Sequence, residues 1–438
     1  MASSAQMDTE ITGIGLLGLG VVGSAVAKAI IERHRPEDPS VPLKVIAATV
    51  RDPGRKRNVD IDPALVSTGP ESVIANSEVG IVVELMGGVD PAFGYIMAAL
   101  KAGKHVVTAN KEVMSKRGSE LLATAVVNNV HFFYEASVAG GIPIIGPLMN
   151  DLTANQIRSV RGIINGTTNF ILTKMANEGA DFHDVLSKAQ SLGYAESDPT
   201  ADVGAFDAQY KIAVLARLAF HTEVPVDEIY REGIQEVHAK DFRYASELGF
   251  TIKLLAVAQA SDELGLLARV HPALIPVDVP MASVNGALNA VEVEGDLVGP
   301  LWFQGPGAGP EPTASAVMGD ILRIAKGAVV NGNHSAGRKP FEIASMSDHV
   351  CQYYIRLTAS DRPGVLANVA KVLGDADISI NSVLQKDTDI ENGRADLVIM
   401  THPARESNIQ NAVSNIRELD TVLQLDSLIR VEAYAERS

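Results

Sequence analysis

Short apolar runs alternate with amphipathic segments through the first third of the chain. The runs predict five strands, over 11–17, Leu43–Val50, 80–88, His105–Thr108 and His131–Glu135. Helical patterns lie between them, including one over Pro91–Ala102. Regular alternation of strand and helix is typical of a doubly wound parallel sheet. We therefore predict an α/β, Rossmann-type domain over residues 1–146.

From about Pro147 the pattern becomes mixed, which predicts an α+β substrate-binding and dimerisation domain over residues 147–309. Its predicted strands are 157–164, 251–260, 266–276 and 287–294, and its predicted helices are 170–178, 225–236 and 241–249. A further helix over Thr313–Ala328 is expected to return to the first domain within a segment at about 310–345.

The linker Asn331–Met346 is rich in turn-forming residues and suggests a domain boundary. The pattern that follows, over residues 350–438, reads strand, helix, strand, strand, helix, strand. The six elements are predicted over 353–359, 364–376, 378–385, 396–401, 406–418 and 427–433. This βαββαβ order is the ferredoxin-like plan.

Charge and composition narrow the class of protein. The 438 residues carry a net charge of −16, which argues against nucleic acid as a partner because no excess of cations can neutralise phosphates. The single cysteine, Cys351, excludes an internal disulfide framework and fits a reducing cytosol. The first ten residues lack a secretory signal, and no apolar run approaches the ~20 residues that span a bilayer. A cytoplasmic protein without a membrane partner is expected.

The first predicted strand runs into a glycine-rich turn and then a helix of small residues. The turn reads Gly18, Leu19, Gly20, Val21, Val22, Gly23. In this context it is the dinucleotide-binding fingerprint, with glycines for a tight turn and helix N–H groups for pyrophosphate. Arg51 stands where an NAD enzyme usually has an acid, and its guanidinium suits a 2′-phosphate. This favours NADP(H) and leaves NAD(H) use open, the alternative being a solvated basic turn.

The stretch Ala189–Lys211 concentrates polar side chains among small and apolar ones. Its charged members are Glu196, Asp198, Asp202, Asp207 and Lys211. Asp207 and Lys211 are four residues apart on a predicted helix, so they share a face. They are either a surface ion pair or part of a substrate cradle with a lysine for proton transfer. Lys111, at the carboxyl end of a parallel strand, lies where ligands bind in such sheets.

Several motifs together resemble the homoserine dehydrogenases that carry a C-terminal ACT regulatory domain, over essentially the whole chain. They are GLGVVG, TANK (108–111), EASVAGGIP (135–143), NGTTN (165–169), GYAESDPTADV…D…K (193–211) and GPGAG (305–309). One position departs from the family, since Ala205 stands where a glycine is usual. If that glycine needs a positive φ, the local turn is expected to differ.

The resemblance implies reversible NAD(P)H-dependent reduction of L-aspartate 4-semialdehyde to L-homoserine, in threonine and methionine biosynthesis. It implies that Lys211 supplies the proton, that Asp207 holds the hydroxyl and the ammonium, and that Glu196 receives the substrate α-ammonium. Asp202 would orient Lys211 or a water. Lys111 would meet the α-carboxylate or assist proton transfer. Backbone positions expected to approach the cofactor are Gly193 and Gly307.

The resemblance also implies a monovalent cation site, usually for sodium. Its ligands would be the carboxylate of Glu135 and the backbone carbonyls of Val138, Gly140 and Ile142. All-oxygen ligation suits a hard cation. On the sequence alone, an acid at a strand end such as Glu135 is more often a structural hydrogen-bonding group, because buried acids need partners.

The ACT-like part contains a strand-to-helix turn whose free N–H groups could hold a carboxylate. By resemblance, such domains pair and bind an amino acid at the shared interface, with L-threonine as the leading effector. The expected effector residues are Asp361, Gly364, Val365, Leu366, Asn381 and Ser382. A homo-oligomer, either dimer or tetramer, is expected. The alternative is a module that only dimerises.

Three other functions were weighed. Aspartate-semialdehyde dehydrogenase needs a catalytic thiolate, whereas Cys351 lies at the edge of the regulatory part. A 2-hydroxyacid dehydrogenase needs a catalytic histidine, and none lies in the polar stretch. A non-catalytic amino-acid sensor built from Rossmann and ACT parts would not need Lys111, Glu196, Asp207 and Lys211 together.

Overall fold

The computed structural model describes residues 12–33, 41–328, 339–389 and 393–434. The first ten residues and part of the linker predicted over Asn331–Met346 lie outside these ranges. The chain divides into two compact units. The first unit comprises 1–156, 213–226 and 303–340, and the second comprises 157–212, 227–302 and 341–438.

The first unit contains a six-stranded sheet. Its elements in chain order are β1 (Thr12–Leu17), α1 (Val21–Arg33), β2 (Leu43–Thr49), β3 (Val66–Ser67), α2 (Pro70–Ala75), β4 (Ile81–Glu84), α3 (Ala92–Lys101), β5 (His105–Thr108), α4 (Lys111–Val127), β6 (Phe132–Phe133) and α5 (Ile145–Met149). All strands are parallel, in the order β3-β2-β1-β4-β5-β6. This is the Rossmann strand order, so the predicted doubly wound sheet is confirmed.

The middle of the chain supplies a long mixed sheet and its helices. The elements are β7 (Ile157–Ile163), α6 (Gly166–Glu178), α7 (Phe182–Ser191), α8 (Thr200–Val203), α9 (Phe206–Phe220), β8 (Tyr230–Arg231), α10 (Ala239–Glu247), β9 (Phe250–Ser261), β10 (Gly265–Pro276), β11 (Leu288–Gly295), β12 (Gly299–Pro306) and α11 (Pro310–Ala325). Helix α9 and strand β12 each run from the second unit into the first. Helix α11 contributes Val317 and Ile321, both fully buried, to the core of the first unit.

The C-terminal part follows the predicted βαββαβ order. It comprises β13 (Val350–Ser360), α12 (Val365–Asp375), β14 (Ile380–Asp389), β15 (Arg394–Thr401), β16 (Ala404–Arg405), α13 (Glu406–Arg417) and β17 (Val422–Val431). Its four long strands do not form a separate sheet. They extend the sheet of the second unit, in the order β12-β11-β7-β9-β10-β17-β13-β15-β14.

Three local predictions differ from the structure. The helix predicted over 225–236 is wrong: a 3-10 turn over Val226–Glu228 leads into β8, which pairs in parallel with β10. β-Branched and aromatic residues favour a strand there. The glycine-rich loop predicted over 304–310 is shorter, because β12 extends to Pro306. The polar turn predicted at Asn165–Asn169 is mostly helical, since α6 begins at Gly166.

Candidate active site

The glycine turn lies between β1 and α1, where the backbone itself requires glycine. Gly18 has a φ of +105°, and a Cβ there would lie 2.9 Å from the carbonyl oxygen of Leu85. A Cβ on Gly23 would lie 2.2 Å from the carbonyl oxygen of Gly18. At Gly20 a Cβ would meet nothing within 4 Å. The turn is therefore closed by packing on one side and open to a ligand at Gly20.

A cavity of about 1400 Å³ lies against this turn, within the first unit. Its wall includes the basic residues Lys28, Arg33, Arg51, Arg55, Lys56 and Arg57. Arg57 donates to the backbone carbonyls of Pro53 and Arg55, at 3.3 and 2.7 Å, so it orders the loop. The side chain of Arg51 is exposed on the wall. The cavity is large enough for an extended cofactor, and its wall carries these six basic side chains together with four acidic ones, Glu32, Asp52, Asp90 and Glu311.

Glu84, at the end of β4, is a buried acid that none of the sequence motifs singles out. Its side chain is fully buried and accepts the Met86 N–H at 2.7 Å and the Thr108 hydroxyl at 2.6 Å. Burial raises the pKa of Glu84, against the hydrogen bonds that it accepts. Its hydrogen bonds therefore connect the C-terminal end of β4 with the C-terminal end of β5. The sequence does contain one indication of this residue, because Glu84 is an acid inside the apolar run over 80–86.

Lys111 is the first residue of α4 and is half-buried. The preceding Asn110 caps the helix by accepting the Val113 N–H at 3.2 Å. Its amide also donates to the carbonyl of Gly88 at 2.6 Å. These bonds place Lys111 at the carboxyl end of β5, beside the loop that follows β4.

The carboxylate of Glu135 is used to order the backbone. It accepts the N–H groups of Ile144, Ile145 and Gly146 at 2.7, 2.8 and 2.7 Å. The N–H of Glu135 donates to Asp320 at 2.9 Å. Burial raises the pKa of Asp320 to about 7. Glu135 thus makes the contacts expected of a structural hydrogen-bonding group.

The other residues expected at the cation site lie in the loop after Glu135. Val138 and Ile142 are buried, and Gly140 has a φ of +52°. A Cβ on Gly140 would lie 2.4 Å from the carbonyl oxygen of Gly307. The loop therefore packs directly on the glycine-rich segment that follows β12.

Asn165 is the centre of an acid and lysine cluster in the second unit. As N-cap of α6 it accepts the Thr168 N–H at 2.8 Å. Its side-chain amide donates to Asp202 at 2.7 Å and to Asp207 at 2.9 Å. The sequence analysis quoted Asn165 within NGTTN but gave it no role, because a contact to residues some 40 positions away leaves no local pattern.

Lys211 completes this cluster. Its ammonium donates to the carboxylate of Asp207 at 2.6 Å and to the carbonyl of Ile164 at 2.8 Å. The side chains of Lys211 and Asp207 are only 12% and 8% exposed. Lys211 and Asp207 therefore form a buried ion pair, which excludes the surface ion pair that their spacing alone allowed. Burial raises the pKa of Asp202, and the nearby Asp207 adds to this effect.

The loop between α7 and α8 carries the other residues expected here. Gly193 has a φ of +76° and is exposed. The loop is held to α6, because Tyr194 stacks on Phe170 at 4.6 Å between ring centroids. The side chain of Glu196 is exposed, and among the described residues no hydrogen bond or ion pair joins its carboxylate to Asp202, Asp207 or Lys211.

Ala205, between α8 and α9, adopts the left-handed conformation with a φ of +63°. An alanine here therefore adopts a positive φ of the kind that glycine accommodates, and alanine is strained in that region. Ala205 is fully buried. The N–H of Gln209 donates to its carbonyl at 3.0 Å, so the strained residue also begins the hydrogen bonding of α9.

The residues expected to bind an effector surround the start of α12 and the edge strand β14. Gly364 is left-handed, with a φ of +94°, and α12 begins at Val365. Asp361 accepts from the amide of Gln385 at 3.2 Å. Leu366 is 42% exposed. Asn381 is exposed at an irregularity in the β14–β15 pairing, and Ser382 is half-buried.

Cys351 lies in the core of the C-terminal part, and burial raises the pKa of its thiol to about 11. A thiol so buried and so weakly acidic is not a nucleophile. Across the described ranges, no three His, Cys, Asp or Glu side chains are grouped to hold a metal ion. In the same part of the chain, no helix combines the length and apolar character needed to cross a membrane.

Family models match most of the chain. One described as "Homoserine dehydrogenase" matches residues 143–322, and one described as "Homoserine dehydrogenase, NAD binding domain" matches residues 18–135. A third, described as "ACT domain", matches residues 353–421. In chain order the matches are the NAD-binding domain, the homoserine dehydrogenase domain and the ACT domain.

Known proteins resemble the chain over nearly its whole length. A homoserine dehydrogenase of Synechocystis sp. is 42% identical, over 95% of this chain and 99% of the relative. The crystal structure of a homoserine dehydrogenase from Thiobacillus denitrificans is 41% identical, with a TM-score of 0.88 over 97% of this chain and 98% of that one. A hyperthermophilic archaeal homoserine dehydrogenase in complex with NADPH is 30% identical, with a TM-score of 0.62 over 74% of this chain and all of that one.

Proposed function

This chain belongs to the homoserine dehydrogenase family, and we propose that it interconverts L-aspartate 4-semialdehyde and L-homoserine with the Asp207–Lys211 pair as its proton-transfer group. The observation that carries the proposal is the buried pair itself. Asn165 and the Ile164 carbonyl fix the acid and the ammonium in one geometry. Such a charged pair is costly to bury unless it is well paired or used.

The reaction needs one proton at the substrate oxygen. A bound nicotinamide supplies the hydride to the aldehyde carbon or takes it from the alcohol carbon. In reduction, Lys211 gives a proton to the aldehyde oxygen as negative charge develops there. In oxidation, it accepts that proton from the hydroxyl. Asp207 keeps the ammonium directed and holds the hydroxyl.

The remaining polar residues are proposed to hold the substrate's charged ends. Glu196 receives the α-ammonium, Asp202 orients Lys211 or a water, and Lys111 meets the α-carboxylate or assists proton transfer. The exposed position of Glu196 leaves its carboxylate accessible to a ligand.

The glycine turn over 18–23 and the charged cavity wall support binding of a nicotinamide dinucleotide. The open space over Gly20 admits a pyrophosphate close to the backbone. Arg51 is proposed to select NADP(H), with NAD(H) use open. The NADPH complex of the archaeal relative supports this choice. Gly193 and Gly307 are proposed to approach the cofactor.

The site around Glu135 is proposed to bind a monovalent cation, with sodium as the leading candidate. The ligands would include the backbone carbonyls of Val138, Gly140 and Ile142. Because the Glu135 carboxylate already accepts three N–H groups, its contribution would be mainly to hold the loop. Replacing sodium by choline at constant ionic strength tests this, and an unchanged rate would remove the cation from the proposal.

The C-terminal domain is proposed to bind an amino acid, with L-threonine as the leading effector. Strand β14 is at the edge of its sheet, where a second copy can add. A homo-oligomer, dimer or tetramer, would place Asn381 and Ser382 near such an interface. Gly364 and Val365 would present helix N–H groups to the carboxylate.

One assay tests the proposed function. Reduction of L-aspartate 4-semialdehyde is followed with NADPH and with NADH, each with and without L-threonine. Turnover with NADPH supports the enzyme, and slower turnover with threonine supports the effector. Threonine binding without turnover with either cofactor would instead support the non-catalytic sensor.

A further inference from the structure

The last strand of the regulatory domain, β17, is an interior strand of its sheet. The same sheet contains β7, the strand that precedes the acid and lysine cluster. Strand β17 pairs in parallel with β10, at Ala273 with Arg430 and at Leu274 with Val431. On its other side β17 pairs with β13. The regulatory and substrate-binding parts therefore share backbone hydrogen bonds, as well as side-chain contacts.

Glu432, which directly follows β17, is buried between these two parts at 4% exposure. Its N–H donates to the carbonyl of Leu274 at 2.9 Å. Its carboxylate accepts from Arg161 of β7 at 3.1 Å and from Arg269 of β10 at 2.8 Å. Burial alone would raise the pKa of Glu432, but the two guanidinium groups outweigh it and hold the pKa at about 2. The carboxylate is therefore charged at any physiological pH.

Arg161 connects this carboxylate to the strand that leads into the acid and lysine cluster. It also pairs with Glu292 of β11 at 3.1 Å, so it is held from two sides. Three residues further along the chain, the Ile164 carbonyl accepts from Lys211. Asn165 then holds Asp202 and Asp207. A shift of β7 along its own axis would move the Ile164 carbonyl, which is one of the two acceptors of Lys211, and the Asn165 amide, which holds the other acceptor, Asp207.

We propose that Glu432 is a positioning residue for the reaction, acting through Arg161 and β7 on the Asp207–Lys211 pair. The inference rests on the proposed function. It assigns to the regulatory domain a direct link to the catalytic geometry in each subunit. It also explains why a buried acid from the end of the chain lies between two arginines of the substrate-binding part, where apolar residues would be equally stabilising.

The test compares Glu432→Gln with Glu406→Gln. Glu406 is a matched control because it is also 4% exposed and accepts two bonds from one guanidinium, that of Arg430. The described hydrogen bonds of its carboxylate come from Tyr353, Gln410 and Arg430, none of which lies on β7. Glu432→Gln is expected to lower kcat about tenfold, with the Kd for NADPH unchanged, because misplacement of a catalytic group acts on the chemical step. Glu406→Gln should leave kcat within about twofold.

A double-mutant cycle with Arg161→Met separates positioning from general destabilisation. If Glu432 acts through Arg161, the double variant should have the kcat of Arg161→Met alone. Additive losses in kcat would overturn the proposal, as would equal kcat values for Glu432→Gln and Glu406→Gln. If Glu432→Gln is insoluble, Glu432→Asp can replace it. This variant keeps the charge but shortens the side chain by one methylene, and the same loss of kcat is expected. An inactive wild-type protein would instead refute the proposed function.

Discussion

The ammonium of Lys211 lies 2.6 Å from the carboxylate of Asp207, one helical turn away on α9, and both side chains are nearly buried. The same spacing and nearly the same distance occur in the Lys174–Glu178 pair on α6, at 2.7 Å, where the side chains are 33% and 39% exposed. The two pairs differ in burial and in their additional partners. That difference distinguishes a fixed, desolvated pair, as the proposed proton transfer requires, from a solvated one.

We expect Lys211→Ala to lower kcat at least ~10²- to 10⁴-fold, the usual range for loss of a general acid or base. Lys174→Ala, which breaks the exposed pair, should change kcat less than about twofold. Binding of NADPH, followed by its fluorescence, should survive in both variants. Substantial turnover by Lys211→Ala would show that another group donates the proton.

Arg51→Asp should shift cofactor preference from NADP(H) towards NAD(H). A hydrogen bond to a charged group is worth about 1.5–3 kcal/mol, so the ratio of kcat/KM values should change about tenfold or more. The measurement is kcat/KM for both cofactors. Lys101→Asp provides the same change of charge at the end of α3, outside the cavity wall. If the Arg51 variant keeps the wild-type ratio of kcat/KM values, other residues determine the choice of cofactor.

Asp320→Asn should change how stability depends on pH. Burial raises the pKa of Asp320 from an ordinary 3.8 to about 7, so between these values the folded protein holds a proton that the unfolded chain lacks. Wild-type stability therefore falls relative to the variant as pH rises from about 4 to 7, and then levels. The difference in Tm between the two proteins, measured from pH 5 to 8, checks this.

A control for that measurement is Asp151→Asn, at an exposed acid of the same unit. Its Tm should run parallel to that of the wild-type protein. The asparagine at position 320 can still accept the Glu135 N–H through its side-chain oxygen. A difference in Tm that does not vary with pH would mean that Asp320 stays ionised throughout.

Ala205→Gly should leave the protein as stable as the wild type, or more so. Relief of a left-handed alanine is worth about 1–3 kcal/mol, which offsets the loss of one buried methyl group, about 1 kcal/mol. Ala216→Gly removes an equally buried methyl from the middle of α9, with no strain to relieve. It should lower the free energy of unfolding by about 1–2 kcal/mol. Chemical denaturation measures both, and equal losses would show that Ala205 is not strained.

The sequence predicted those features of the molecule that depend on local pattern. The glycine turn, the parallel sheet and the βαββαβ order follow from periodicity and turn residues over short stretches. The shared face of Asp207 and Lys211 also followed from their spacing. The helix predicted over 225–236 was wrong because tertiary pairing with β10 decided that segment.

Contacts between residues that are far apart in the sequence could not be predicted from local pattern. Glu84 and Asn165 act through partners on other elements, so no spacing rule indicates them. The link from Arg269 to Glu432 joins positions 163 residues apart. The left-handed φ of Ala205 contradicts the residue's own preference, and only the surrounding backbone imposes it.

The interior position of β17 bears on how the protein is made. Strand β10 pairs with β8 at Arg269 and Val270, but its partner at Ala273 and Leu274 is supplied only when residues near 430 have left the ribosome. The part of this edge around Ala273 and Leu274 therefore stays unpaired until β17 has been synthesised. Slow synthesis or a stop codon before residue 422 would leave this part of β10 with an open edge, which makes aggregation the expected product.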